Sequence, residues 1–296
     1  MKIGIIGAGK WGQALHFAFL EAHLNSFISS RTKRDIKNFV SFDFILDMEY
    51  IVFALSAQHA RSWLKRYFVF NNQKILVASK GIEAKTGKFL NDVFSEFLPE
   101  SNLSFISGPS FASEVKQKLP TALVISSTNK NLAQIYADFF PDFIKTYVDD
   151  DVIGAEISGA YKNVLAIASG ICDGLKLGNN ARASLIARGL IEMNRFGKYF
   201  GAKEDTFLGL SGAGDLFLTA SSELSRNYRV GKFLALEENL ETILKKIGEV
   251  AEGVATSKAI YHISKKYDIY TPIANEVHEI LNGKSALKSL KDLLKK

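Results

Sequence analysis

A few residues stand out for the company they keep. Lys162 lies in "EISGAYKNVLAIASG". Ser158 stands four residues before it, Ala166 four after it and Ser169 seven after it, with Gly159 three before. At helical spacing these form a narrow stripe of small residues with one amine in it. A lysine in such a lined cavity can give or take a proton, because desolvation lowers its pKa toward the working pH. A lysine whose stem lies along a surface is the competing reading from spacing alone. Lys80 ends "KILVASKG". The carboxyl ends of parallel strands form the ligand crevice of α/β sheets. Were Lys80 to meet Lys162, like charge would lower a lysine pKa further, and a phosphate between them would oppose that. Asp215 is the one acid among the glycines of "FLGLSGAGD". Ser225, Arg226 and Asn227 follow as "SRN" and suit a phosphate ester. In "SGPSFASEV", Gly108–Pro109 forces a turn and Ser110 offers a hydroxyl or a helix cap.

Near the start, "KIGIIGAGKWGQAL" carries Gly7, Gly9 and Gly12 as G-x-G-x-x-G. Alone, the pattern means little. Here it follows a strand-like run and opens a helix-like one, the setting in which backbone N–H groups receive a pyrophosphate. The end of the second strand reads "SSRTKR". A carboxylate there would hold the ribose 2′-hydroxyl of NAD. Arg31, Lys33 and Arg34 instead offer charge for the 2′-phosphate of NADP. NADP(H) is therefore favoured, with NAD(H) tolerated. A solvated surface cluster is the alternative for Lys33 and Arg34.

These groups need a scaffold. Up to about residue 150, strand-like runs ("KIGIIG", "SFISS", "EYIVFALS", "KILVAS", "LSFIS", "TALVIS") alternate with helical ones such as "WGQALHFAFLEA", "TGKFLNDVFSEFL" and "NLAQIYADFF". That alternation predicts βαβ units and a doubly wound, mostly parallel sheet. After "VDDDVIG" the text turns helical throughout. The expected organisation is an α/β dinucleotide-binding domain over 1–150 and an all-helical substrate domain over 151–296. The "DDD" run is placed to cap the first helix of the second.

With 296 residues the chain has room for two such domains, and its 47% hydrophobic content is that of an ordinary globular protein. Cys172, the single cysteine, excludes an intrachain disulfide and reads as a buried thiol. The N-terminus reads as a strand and no apolar run is long enough to span a bilayer, so a cytoplasmic protein without membrane insertion is expected. The net charge of +6 is scattered. With no recognised module beside it, no nucleic-acid partner is expected, and the "KSALKSLKDLLKK" tail reads as an amphipathic helix. No metal-ligand spacing is present, so no metal is expected.

Together, "GAGKWGQAL", "SKGIE", "SGPSFASEV", "DVIGAEISGAYKNVLAIASGICDGLKLGNNARA", "GLSGAGDLFLTA", "SRNY" and "EGVATS" resemble the bacterial NAD(P)-dependent glycerol-3-phosphate dehydrogenases, over nearly the whole chain. The resemblance implies a Rossmann-type domain and a helical domain of the 6-phosphogluconate dehydrogenase C-terminal type. It also implies interconversion of dihydroxyacetone phosphate and sn-glycerol 3-phosphate, feeding glycerophospholipid synthesis. By motif position it implies Lys162 as proton donor and acceptor, and Lys80 and Asp215 beside it in the catalytic site. Lys80, Gly108, Ser110, Lys162, Asn163, Asp215, Ser225, Arg226 and Asn227 are implied as substrate contacts. Gly7, Gly9, Lys10, Trp11, Gly12, Arg31, Lys80, Ala112, Arg226, Val250 and Glu252 are implied as cofactor contacts. Three features depart from the family pattern: "ALSAQHAR" lacks a proline, the stretch from "SRTKRD" to "EYIVFA" is compressed, and Tyr161 stands where a smaller aliphatic residue is usual.

Two other readings compete. A reductase of a β-hydroxyacid or of ketopantoate would pair the same two domain types with a lysine, but "SRN" with "GDLFLT" favours a phosphorylated triose. A redox-sensing dinucleotide binder would have no use for Lys162, Asp215 and "SRN" together. Apolar helical surface in the second domain leaves room for a homodimer.

Overall fold

The structure, a computed structural model, describes residues 1–294. It divides into two units, Met1–Ser79 with Leu90–Ala155, and Lys80–Phe89 with the chain from Glu156 onward. The last two residues of the lysine-rich tail lie outside the described residues.

The first unit is built on β1 (Lys2–Ile6), β2 (Asn25–Ser29), β3 (Tyr50–Phe53), β4 (Lys74–Val77), β5 (Leu103–Ser107), β6 (Thr121–Ser126) and β7 (Ile144–Asp149). They form one sheet in the order β2-β1-β3-β4-β5-β6-β7, parallel except where β6 runs antiparallel to β5. Helices α1 (Lys10–Glu21), α2 (Phe42–Leu46), α3 (Ala60–Tyr67), α4 (Leu90–Ser95), α5 (Ala112–Lys116) and α6 (Lys130–Ala137) complete the unit. In "YIVF", Tyr50 and Val52 join the core under α1 and α6, and Ile51 and Phe53 join the one under α3 and α4. Covered on both faces, a strand must be apolar at every position, which is why these runs are continuous rather than alternating. β7 escaped the sequence reading because "IKTYVD" is an edge strand with alternating exposure and two charges.

The second unit contains α7 (Val152–Gly174), α8 (Gly178–Tyr199), α9 (Glu204–Leu208), α10 (Asp215–Ala220), α11 (Arg226–Leu234), α12 (Leu240–Ile247), α13 (Glu252–Tyr267), α14 (Pro272–Leu281) and α15 (Ala286–Leu294), the first turn of α7 belonging to the first unit. Asp151 caps α7, its Oδ1 accepting from Gly154 N at 2.9 Å. From Ala155 to Cys172 every residue of α7 is buried, as expected for a helix that is apolar nearly all round. Cys172 is among them, and burial pushes its thiol pKa up. Tyr161 donates to Glu192 Oε1 at 2.8 Å, and Glu192 also accepts from the Ile273 and Ala274 amides, each at 2.8 Å. That carboxylate sits on the first turn of α14, where unbonded N–H groups favour an anion, and it ties α7, α8 and α14 together. Burial nevertheless raises its pKa. The unusual tyrosine thus has a partner that an aliphatic residue could not use.

Helices α7 and α11 meet backbone to backbone. A Cβ on Gly231 would lie 2.0 Å from Ile167 O, and one on Gly170 would lie 2.0 Å from Tyr228 O. Neither neighbour can give without moving a helix. Gly231→Ala is expected to cost about 1–3 kcal/mol or more and to lower the melting temperature by roughly 5–10 °C. A circular-dichroism melt checks this, and an unchanged midpoint would refute the close-approach account.

Among the described residues, no helix is long and apolar enough to cross a membrane.

Candidate active site

The glycine loop of the first unit has the geometry an anion needs. Gly7 has φ +115°, a conformation that side-chain-bearing residues rarely adopt. A Cβ on Gly12 would lie 1.9 Å from Gly7 O, so only glycine lets α1 start this close to the strand end. A Cβ on Gly9 would meet nothing within 4 Å. The space in front of Gly9 is thus open, and Gly9 precedes α1 without a side-chain cap. A helix start without a side-chain cap, behind open space, is the setting in which a pyrophosphate is received. Lys10 and Arg31 are exposed and Trp11 is half-buried. Gly108 has φ +102° and packs against β6, a Cβ there lying 2.9 Å from Ala122 O. The Ser110 hydroxyl donates to Gly108 O at 3.1 Å, and Ala112 opens α5.

The titrating groups lie in the second unit. Lys80 belongs to it because Lys80–Phe89, lying in sequence between β4 and α4, packs there. Gly87 N donates to Glu83 O at 2.8 Å, closing a turn, and the Phe89 ring meets Phe200 edge-on at 5.1 Å. The Lys80 stem passes over Gly159, where a Cβ would stand 3.3 Å from Lys80 Cγ. The small-residue stripe is therefore the bed of a second lysine as well as the surroundings of the first.

Both lysines converge on one carboxylate. Lys80 Nζ donates to Asp215 Oδ2 at 2.7 Å, and Lys162 Nζ donates to Asp215 Oδ1. Lys162 also donates to Thr219 Oγ1 at 3.0 Å. Asp215 is 1% exposed, Lys162 9% and Lys80 18% by side chain, so the outer edge of the cluster is Lys80. Asp215 opens α10 directly after the wide turn Leu210–Gly214. That turn lies against α9, since a Cβ on Gly212 would fall 2.1 Å from Phe207 O. The glycines around the acid serve this packing.

Electrostatics follow from the geometry. Burial pulls the Lys162 pKa down to about 7, helped by the Lys80 charge and opposed by Asp215. Burial pushes the Asp215 carboxyl up, but the two ammonium groups outweigh it and hold the group below its ordinary value. The result is an amine poised near neutrality beside a fixed carboxylate, the requirement for reversible proton transfer at physiological pH.

A second network runs beside it. Asn163 Nδ2 donates to Gly159 O at 3.1 Å. Asn163 Oδ1 accepts from Asn227 Nδ2 at 2.8 Å, and Asn227 Oδ1 accepts from Gly253 N at 3.0 Å. Asn227 stands in the first turn of α11, and Ser225 is that helix's N-cap, accepting from Tyr228 N at 3.3 Å. Arg226 is 44% exposed by side chain and lies 3.7 Å from Glu249. Val250 is exposed, and Glu252 opens α13.

The structure thus brings together Lys80, Lys162 and Asp215, and separately Asn163 and Asn227. Arg226, Ser225, Val250 and Glu252 lie in the same unit at helix starts or just before them. Gly7, Gly9, Lys10, Trp11, Gly12, Arg31, Gly108, Ser110 and Ala112 belong to the first unit. Thr219 was missed. Its signal is in the sequence, four residues after Asp215 and on the same face of α10.

Comparison with known proteins identifies the family. Residues 151–292 match the family model described as NAD-dependent glycerol-3-phosphate dehydrogenase C-terminus, and residues 40–133 match the N-terminus of the same family. A glycerol-3-phosphate dehydrogenase [NAD(P)+] of Campylobacter jejuni is 63% identical over 100% of this chain and 99% of its own length. One from Nitratiruptor sp. is 60% identical, again over 100% and 99%. The crystal structure of glycerol-3-phosphate dehydrogenase from Coxiella burnetii superposes with a TM-score of 0.92 at 30% identity, covering 100% of this chain and 99% of that one. The chain belongs to the NAD-dependent glycerol-3-phosphate dehydrogenase family.

Proposed function

We infer that this chain is an oxidoreductase that interconverts dihydroxyacetone phosphate and sn-glycerol 3-phosphate with NAD(P)H. Membership of the family supports the reaction, and the observation that carries it is the buried amine of Lys162 on Asp215 with Lys80 on the other carboxylate oxygen. NAD(P)H, when bound, supplies hydride to C2 of the ketone. Lys162 protonates the oxygen that gains charge as this happens, and takes that proton back in the reverse direction. Lys80 donates a hydrogen bond to the substrate oxygens and stabilises the growing charge. Asp215 orients both amines and the substrate hydroxyls, and Asn163 helps bind the substrate. The substrate phosphate meets Arg226, Ser225 and Asn227, and Gly108 and Ser110 complete the substrate contacts. Gly7, Gly9, Lys10, Trp11 and Gly12 would hold the dinucleotide, with Arg31, Lys80, Ala112, Arg226, Val250 and Glu252 as further contacts. NADP(H) is preferred, since Arg31, Lys33 and Arg34 all stand exposed after β2.

In this reading the dinucleotide-binding domain, 1–150, carries most of the cofactor contacts, and the helical substrate and catalytic domain, 151–296, carries most of the substrate contacts. The protein works in the cytoplasm, its product feeds glycerophospholipid synthesis, and exposed apolar residues of the helical unit such as Leu208 and Phe217 leave room for a homodimer. Light scattering tests the dimer. The function is tested by kcat/KM on a panel of ketones with NADPH and with NADH. Dihydroxyacetone phosphate should lead by orders of magnitude. Turnover of ketopantoate, or of dihydroxyacetone without its phosphate, at a similar rate would overturn the assignment.

Proton transfer through Lys162 also predicts a pH dependence with opposite signs in the two directions. Reduction needs the ammonium form, so kcat/KM for dihydroxyacetone phosphate should fall as pH rises through about 7. Oxidation of glycerol 3-phosphate needs the free amine and should rise through the same value. Initial rates from pH 5.5 to 9 check this, and two profiles of the same sign would exclude Lys162 as the shared group.

A further inference from the structure

The compressed stretch after β2 has an anchor that the reaction does not use. Residues 31–37 leave the strand end as a strap in which Arg31, Thr32, Lys33, Arg34, Asp35 and Lys37 are exposed. At its start, the Ser30 hydroxyl donates to Thr32 O at 2.7 Å. At its end the chain turns back through Asn38 at φ 58°. Ile28 N donates to Asn38 O at 3.1 Å and Val40 N donates to Ile28 O at 3.0 Å, so the returning chain forms a parallel bridge to β2 at Phe39. Asn38 Nδ2 adds a bond to Ser26 O at 2.9 Å. The strap is thus a short loop pinned at both ends to one strand.

His16 reaches it from α1. The ring is 4% exposed. Nε2 lies 2.9 Å from Lys37 O, and Nδ1 lies 2.8 Å from Ser26 Oγ. A carbonyl only accepts, so Nε2 carries the proton and Nδ1 accepts from the Ser26 hydroxyl. Burial lowers the ring's pKa and keeps this neutral form. A buried neutral imidazole with both nitrogens occupied holds one rotamer, and with it the backbone at Lys37. That backbone sets the length and direction available to the cations before it. The same helix begins directly after Gly9, so one rigid element joins the pyrophosphate loop to the strap.

We propose that His16 is a positioning residue for cofactor selection: by holding the Lys37 carbonyl it keeps the Arg31–Lys37 strap where its cations meet a nucleotide 2′-phosphate. The proposal rests on the NADP(H) reading above. A strap without this tie would still carry its charges but would have to order them on binding, which weakens recognition of the phosphate and spares the rest of the nucleotide.

Two variants and two fragments test it. His16→Phe keeps the ring volume and removes both bonds. Asn38→Gly keeps the left-handed turn and removes only the bond to Ser26 O. Calorimetry with 2′,5′-ADP and 5′-AMP reads the phosphate without turnover. Wild type should bind 2′,5′-ADP the more tightly, and equal binding would overturn the cofactor reading itself. With that preference in place, His16→Phe should weaken 2′,5′-ADP about tenfold while 5′-AMP changes less than about twofold. Asn38→Gly should move the same way by about threefold. In steady state KM for NADPH should rise in parallel, with kcat and KM for dihydroxyacetone phosphate within about twofold of wild type. If His16→Phe does not fold, Ser26→Ala, which removes the hydroxyl that holds His16 Nδ1, decides in its place by the same selective loss for 2′,5′-ADP. Equal weakening of both fragments would reassign the contacts to general stability of the unit and overturn the proposal. So would unchanged binding of both by a folded variant.

Discussion

Lys162→Ala should lose about 10³-fold or more in kcat in both directions while its affinity for NADPH stays within a fewfold of wild type. General acid–base catalysis contributes about 10²–10⁴-fold on its own, and here the same residue supports the charge forming on the substrate oxygen. The dinucleotide contacts expected of the glycine loop lie in the other unit. The two effects can therefore be separated by NADPH fluorescence titration and single-turnover kinetics. Lys162→Arg should not rescue activity. A guanidinium stays protonated in proteins and cannot act as base in the oxidative direction. Its fork also does not fit a site whose amine already bridges Asp215 and Thr219. Wild-type turnover in Lys162→Ala would remove this residue from the chemistry and leave Lys80 as the only amine of the cluster to reconsider.

Asp215→Asn should be damaging in a different way, because it removes charge and little volume. Two amines then face each other with no counter-charge, and breaking a buried ion pair from one side costs about 3–5 kcal/mol. At roughly 2–4 °C per kcal/mol the melting temperature should fall by about 10 °C. Activity should fall about 10²–10³-fold, since the opposing pull of Asp215 on the Lys162 pKa is lost and less ammonium remains at neutral pH. The pH dependence has a defined sign. Asp215 has its native pKa below the unfolded one, so its stabilisation is present above about pH 4 and is lost as pH falls through the depressed native value. Lys162 runs the other way, its native pKa of about 7 lying far below that of an unfolded lysine. Above pH 7 it is neutral in both native proteins. Any part of the stability gap that comes through Lys162 should therefore appear only as pH falls below 7. Calorimetric melts of both proteins from pH 5 to 9 check this. A gap that widened with rising pH would contradict the pairing.

Much of the scaffold was legible because it depends on local pattern. Continuous apolar runs such as "YIVF" mark strands covered on both faces, and a glycine triplet between strand and helix marks the start of α1. The aspartate that caps α7 could be read from type and position, because an N-cap involves only residues three apart. Lys162 was legible as a candidate because a lone amine in a stripe of small residues is a local anomaly. Edge strand β7 was not, since a strand with one wet face carries charge and loses the apolar signature. Nor was the short return at Phe39 after the strap, which is stabilised by bonds to β2 and α1 rather than by its own sequence.

What the sequence by itself determined is the type of the buried strands and long helices, the glycine loop, the alternatives for the polar residues it singles out and the family resemblance. Tertiary structure alone decided that Lys80 packs with the helical unit, that Lys80 and Lys162 share the two oxygens of Asp215, and that Thr219 completes the group. The reason is physical. A helix start or a buried strand is set by interactions over a few residues, and these leave a periodic trace. The Asp215 cluster joins residues 135 and 53 positions apart. Its lowered amine pKa is a property of burial and of charges brought in from elsewhere, and no spacing in the chain records either.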